Sequence, residues 1–378
     1  MLRGYRAVAL TDEKGDFCAR ILAQMGAEVI HIYQPGEKPA YNYANEGEHY
    51  ISLKLTAARG IELFKRLISR TDFLIESMEP GYLAGSGLDY EKLKQFNPAL
   101  IMASITGFGQ SGPRRNYRTS DLVASALGGQ AYICGEPDQP PLKPCGKLGY
   151  YIAGLFAANG ILIALQKRHY SGKGDYIDIS IHECLAGTLD HVLVRYFYEN
   201  EVASRQGSLY WNRAFRIFPC KDGFILLSLF RDWTTLVELM NASGMAGDLL
   251  DDRWKNAEER LKNLDHIIEI IEQWTRSNSV DELVNLGQLM RLSWARVATL
   301  EDVLNNPQLN FRGFFQESSD SQSGKRFRYP GSPCKMEKSP WQVGLKNVQS
   351  QDYNQQIYCR ELGLSDTEIA DLTREGII

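Results

Sequence analysis

The 378-residue chain has no CxxC pair, no basic block longer than a few residues and no Walker phosphate-binding motif. The seven cysteines (Cys18, Cys134, Cys145, Cys184, Cys220, Cys334, Cys359) are scattered and odd in number, so reduced and mostly buried thiols are expected rather than a disulfide framework or a zinc site. His169 and His182 have no acidic or cysteine partner at ligand spacing, and no metal is expected. With 42 Lys and Arg against 46 Asp and Glu the net charge is −4, which leaves no basic stripe for nucleic acid. No apolar run reads as long enough to span a membrane, and MLRGYRAVALTDEKG turns acidic before a signal-peptide core could form. A cytoplasmic protein without membrane contact is expected.

What is present is enough apolar residue, 44% of the chain, for more than one core, and the length favours two domains. The first hundred residues alternate strand and helix. RAVAL at 6–10 reads as a strand, residues 17–25 as a helix ended by Gly26, and AEVIHIY at 27–33 as a second strand. ISLKL (51–55), a helix over 57–69, FLIE (73–76), a helix over 90–96 and LIMASITG (100–107) continue the pattern, which predicts an α/β fold with a largely parallel sheet. GFGQSGP (107–113) has the glycine spacing of GxGxxG but no Walker lysine, and it reads as a plain loop. A long helix is expected from about Tyr150 to Lys167, then the strand YIDIS, then a helix to about Tyr198.

Beyond that point the texture changes. RIFPCKDGFILLSLF (216–230) reads as two strands, and amphipathic helices are expected over 233–240, 257–276 and 280–286. SSDSQSGKRFRYPGSP (318–333) reads as a polar linker, and Ser365 as the N-cap of a terminal helix. The expected division is a large domain over 1–198, a linker over 199–215, a small α+β domain over 216–315, a second linker over 316–340, and a return to the large domain over 341–378.

ILAQMGAEVIHI, DFLIESMEPGYLAGSGLDYEKLKQFNPALIMASITGFGQSGP, AGLFAANGILIALQKRHYSGKGDYIDISIHE, FPCKDGFI and VATLEDVLNNPQLNFRGFF, in this order, resemble the class III CoA-transferases of the carnitine and formyl-CoA type. The resemblance implies a Rossmann-like large domain built from both chain ends, a small inserted domain, and two subunits threaded as interlocked rings. It also implies CoA exchange between carboxylic acids, begun by an aspartate at the start of the helix that carries AGL and attacking an acyl-CoA thioester.

In this chain that position is Tyr150. A phenol of pKa about 10 is about one part in a thousand ionised at neutral pH, and it has no acyl carbon on which CoA could be held. Glu46 and Glu48 stand where the family has basic residues, Thr56 at a frequent lysine, and Ala99 where a basic residue often follows Asn-Pro. Each such change is expected to oppose binding of the CoA phosphates by loss of a contact and, for the acids, by repulsion. Arg118 is the candidate CoA contact. Asp121, Asp138 and Asp175 are the acids that could act as a displaced nucleophile. The racemase histidine and aspartate find no counterpart, since 118–122 reads RTSDL and Tyr150 replaces the acid.

The resemblance therefore points to a non-catalytic subunit beside a catalytic paralogue, as in the benzylsuccinate CoA-transferases of anaerobic aromatic degradation, with a CoA thioester as substrate of the complex and no tightly bound cofactor. An active homodimeric transferase or racemase with a displaced nucleophile, and a free-standing binding protein, are the alternatives. HVLVRYFYEN, LYWNRAFRIF and NFRGFF are expected to be apolar surface for a partner.

Overall fold

The fold is described from a computed structural model over residues 1–37, 47–210, 214–319, 326–342 and 353–378. The chain forms two units, the first made of 1–132, 142–203 and 311–378, the second of 133–141 and 204–310.

The first unit is built on six parallel strands: β1 (Arg6–Leu10), β2 (Glu28–Tyr33), β3 (Glu48–Ser52), β4 (Phe73–Glu76), β5 (Ile101–Thr106) and β6 (Asp175–Ser180). Their order is β3-β2-β1-β4-β5-β6. Strands buried on both faces read as continuous apolar runs, as RAVAL, FLIE and IMASIT do. Between them run α1 (Asp16–Gln24), α2 (Ala58–Ile68), the short α3 (Tyr82–Gly85), α4 (Tyr90–Phe96), α5 (Asp121–Leu127), α6 (Gln130–Ile133) and α7 (Leu148–Ser171), with α8 (Ile181–Gly187) and α9 (Asp190–Glu199) after β6.

Helix α7 buries Tyr150, Ala153, Gly154, Ala157, Ala158, Ile161, Ala164 and Leu165, spaced three and four apart on one face. The small residues bring it close to α1: a Cβ on Gly154 would lie 3.1 Å from the Cys18 nitrogen and from the Phe17 side chain. It ends where Gly172 adopts φ +67°, a left-handed C-cap. By length and composition α7 could cross a membrane, which corrects the expectation that no apolar run is long enough; half of that stretch is buried in the protein.

Both chain ends enter this unit. Tyr353, Ile357, Tyr358, Leu362, Leu372, Ile377 and Ile378 share a core with β2, β3 and α2, and Tyr358 donates to the Ser52 carbonyl at 2.6 Å. Arg6 pairs with Glu361 at 2.6 Å.

In the second unit, β7 (Leu209–Tyr210), β8 (Phe215–Pro219), β9 (Phe224–Ser228) and β10 (Ala295–Arg296) form an antiparallel sheet in the order β10-β9-β8-β7. Helices α10 (Trp233–Ala242), α11 (Ala257–Lys262), α12 (Leu264–Arg276) and α13 (Val280–Leu289) surround a core that includes Phe218, Trp254, Trp274 and Trp294. The short α14 (Leu300–Asn305) and α15 (Pro307–Phe311) follow.

Several expectations need correction. β3 begins at Glu48 rather than Ile51, because Glu48, Tyr50 and Ile51 are the buried positions that pair with β2. The helix expected to run on to Tyr198 is broken between α8 and α9, and the one over 257–276 is broken at Asn263, whose amide donates to Glu259 O at 2.9 Å. The polar stretch read as a linker contains a hairpin of β11 (Phe315–Ser319) and β12 (Arg326–Pro330). Only Cys18 of the seven free cysteines is buried, while Cys145 and Cys334 are exposed. The terminal helix α16 (Asp366–Arg374) is capped by Ser365, with Glu368 completing a capping box.

Candidate functional site

In a sheet of this order, ligands bind outside the carboxyl ends of the strands, where the connections turn away in opposite directions. Here that point lies between β1 and β4, and it is spanned by hydrogen bonds: the Asp12 amide donates to Ser77 Oγ at 2.9 Å, and Ser77 Oγ donates to Asp12 Oδ1 at 2.7 Å. The β1 to α1 turn, which in such folds can cradle phosphate on backbone amides, reads TDEKGD and carries three carboxylates. Asp12 takes the Lys14 amide at 3.1 Å and its ammonium, and Asp16 takes the Thr11 hydroxyl at 2.8 Å.

The first turn of α7 is organised by a residue from another helix. Lys147, at the N-cap position, makes no side-chain cap. Instead Asp121, at the start of α5, accepts the Gly149 N–H at 2.8 Å and pairs with Lys143 at 2.7 Å. A helix N-terminus leaves donors unpaired and favours negative charge, and Asp121 meets both needs. Gly149 permits the approach, since a Cβ there would lie 2.9 Å from Asp121 Oδ1 and 3.0 Å from Leu185.

Tyr150 follows, 5% exposed and part of the core around α1, β5 and α7. Burial pushes its phenol above the ordinary value, as do Glu13, Asp121 and Asp12, while the Asp121 backbone N–H opposes the rise. The hydroxyl is therefore neutral at physiological pH. Tyr151 beside it is half exposed and packs edge-on against Phe17 at 4.9 Å. The lysines near this turn are each engaged: Lys14 with Asp12, Lys147 with Glu13 and Lys143 with Asp121.

The other positions named from sequence fall as follows. Asp175 pairs with Lys167 at 2.7 Å, 17 residues beyond Tyr150 and so about 25 Å along α7. Asp138 is exposed in the second unit. Arg118 is exposed in the loop before α5 and has no ion pair among the described residues. Glu46 lies outside the described residues. Glu48 is fully buried on His31 Nδ1 at 2.8 Å, so it repels nothing at the surface, a correction to the role expected of it. Burial works against the charged form of His31, but Glu48 outweighs it and holds the imidazole pKa above its usual value. Thr56 is exposed. The Ala99 carbonyl accepts from Arg168 at 2.9 Å. His169 bonds the Tyr5 hydroxyl at 2.9 Å and His182 the Leu127 carbonyl at 3.2 Å. No group of three metal-ligating side chains is placed to hold an ion among the described residues.

The GFGQSGP loop spends its amide on the protein itself. Gly109, at φ +82°, turns the chain so that the Gln110 N–H meets the Asp178 carboxylate at 3.0 Å. One group escaped the sequence reading altogether. Glu76, at the end of β4, is 3% exposed and pushed up to about 7 by burial and by Asp178, against the pull of Ser104 and the Met78 amide. Its isolation at a strand end carried no motif.

These features define an α/β protein whose sheet reverses its connections between β1 and β4, with a tyrosine at the start of its long helix. The sequence pattern of CoA-transferase family III matches residues 2–347, and the chain belongs to that family. It is 32% identical over 401 residues to the succinyl-CoA:(R)-benzylsuccinate CoA-transferase subunit BbsE of Thauera aromatica, covering 99% of this chain and 97% of that one. It is 27% identical to the succinyl-CoA--L-malate CoA-transferase beta subunit of Chloroflexus aurantiacus, covering 100% and 98%. A CAIB/BAIF family protein from Brucella suis shares the fold, with a TM-score of 0.84 at 24% identity over 95% of this chain and 98% of that one.

Proposed function

We propose that this chain is the non-catalytic subunit of a heteromeric CoA-transferase that exchanges CoA between carboxylic acids, with succinyl-CoA as donor and an aromatic acid as acceptor. The observation that carries this is Tyr150: a neutral, buried phenol at the helix start where the resemblance calls for a carboxylate. A phenol cannot hold CoA as a thioester. Around it Lys14, Lys143 and Lys147 are each matched to an acid, so the turn offers CoA phosphates no uncommitted lysine. The chemistry then belongs to a paralogous partner that keeps the aspartate.

Two relatives named as subunits support a heteromer. So does the exposed apolar surface of α9, where Phe197 is 76% and Tyr198 86% exposed, and of α7, where Ile163 is 71% exposed. Patches of this kind mark protein interfaces, and the interlocked dimer of the family is the assembly in which they would be covered. Trp211 to Arg213 of the expected apolar connections lie outside the described residues, while Phe311 is 90% exposed.

Co-expression with an aspartate-bearing paralogue should give a soluble complex in equal proportion, counted by native mass spectrometry, whereas the chain alone should transfer no CoA. Homodimers with full activity would refute this. The position of Asp121 favours a second reading, an active enzyme with a displaced nucleophile, because its carboxylate does reach the first turn of α7. Against it, one oxygen takes the Gly149 amide and the other Lys143.

A further inference from the structure

The N-terminal edge of the six-stranded sheet, opposite to Tyr150, holds a cavity of about 550 Å³ among the first residues of the chain, the starts of β1 and β2, and the turns before β3 and β4. Its size falls in the range of small-molecule sites. Two carboxylates stand in its wall, and both are committed. Glu28 accepts Arg6 Nε at 2.6 Å and the Tyr353 hydroxyl, and although burial works against its charged form these bonds hold its pKa below the ordinary value. Asp72 accepts the Arg6 amide at 2.9 Å and Arg168 Nη2 at 2.9 Å. Arg6 in turn serves Glu28 and Glu361.

The donors in the same wall are less committed. Arg3 makes no ion pair among the described residues, and Arg70 reaches only the Glu361 carbonyl, at 2.8 Å. His49 stacks flat on Tyr353 at 4.1 Å, and burial holds its imidazole below the usual pKa against the pull of Glu28, so it adds no charge to the wall. At Gly26, whose φ is +100°, an added Cβ would lie 3.5 Å from the Arg3 backbone nitrogen and 3.8 Å from Gln342 Nε2, so two further nitrogens converge on one spot. Acids already paired, beside guanidinium and amide nitrogens without an acid partner in the same wall, make a lining suited to anions.

We propose that this cavity binds a small organic anion carrying two or more carboxylate or phosphate groups. The volume exceeds what a single inorganic ion fills, and two arginines in one wall favour planar or multidentate oxygens. The site lies at the opposite edge of the sheet from Tyr150 and does not depend on whether this chain catalyses transfer.

Calorimetric titration of the full chain, in its complex if it needs one, with succinate, citrate and ADP tests this. At least one probe should bind, and the choice between them tells carboxylate from phosphate. The double variant Arg3→Ala/Arg70→Ala should weaken that binding by roughly tenfold or more, since two charge-assisted contacts are lost. Arg59→Ala, which removes an exposed arginine paired elsewhere with Glu375 at 2.9 Å, should leave it unchanged. No binding of any probe at millimolar concentration, or undiminished binding in the double variant, would overturn the proposal.

Discussion

Replacing Tyr150 by aspartate supplies the acid that the family resemblance calls for, and the packing around it leads us to expect neither a good fit nor restored transfer. The ring is 5% exposed and sits in the α1, β5 and α7 core, so its removal leaves a cavity worth about 3–5 kcal/mol by analogy with other buried aromatics. A carboxylate near a helix N-terminus gains about 0.3–1 kcal/mol, which does not offset that loss. Moreover the Gly149 amide is already held by Asp121, and the neighbouring acids have used Lys14, Lys143 and Lys147, so a fourth acid meets like charge without a counter-ion.

Burial and like charge both raise a carboxyl pKa. The new Asp is therefore protonated in the folded state at a pH where it is ionised in the unfolded chain. A raised folded pKa means stability present at low pH and lost as pH rises from about 3.9 through the folded value. Tyr150→Asn leaves the same cavity without the charge and is the control. Urea unfolding should place Asp close to Asn at about pH 4 and less stable than Asn by about 1–3 kcal/mol at pH 8, with no CoA transfer from either. An Asp variant as stable as the parent at pH 8, or one that turns over, would refute the reasoning.

Two other perturbations follow from the geometry. Glu76, raised from an ordinary 4.5 to about 7, gives up stability as pH rises through that window. Glu76→Gln should flatten the fall by up to about 3 kcal/mol, and a pH series of unfolding midpoints that matches the parent would contradict it. Asp121→Ala leaves the buried Gly149 N–H without its acceptor and Lys143 without its counter-ion, so a loss of about 1–3 kcal/mol is expected, with faster hydrogen exchange confined to the start of α7 and to α5; unchanged exchange there would show that Asp121 does not cap the helix.

Much of the large unit was legible because strands buried on both faces read as near-continuous apolar runs, and β1, β4 and β5 do, with Arg6 and Glu76 only at strand ends. β3 was misplaced for the converse reason. Its first residues, Glu48 and His49, look like surface, and only the contact of Glu48 with His31, 17 residues away, explains how an acid can be wholly buried. The hairpin of β11 and β12 was missed because β11, FQESS, carries no alternating pattern and the alternation of RFRYP is only four residues long, so the pairing is set between strands rather than within either. At the site, Tyr150 could be picked out from spacing to Ala153, Gly154 and Leu155. Its neighbours could not, since the carboxylate that caps α7 comes from Asp121, 28 residues earlier and on another helix.

The central claim is that this chain carries no acyl or CoA intermediate. The direct measurement is covalent trapping in the purified complex: incubation with an acyl-CoA donor, rapid quenching, and peptide mass spectrometry of both chains. The label is expected on an aspartate of the partner and on no peptide of this chain. A modified peptide containing Tyr150 or Asp121 would contradict the account.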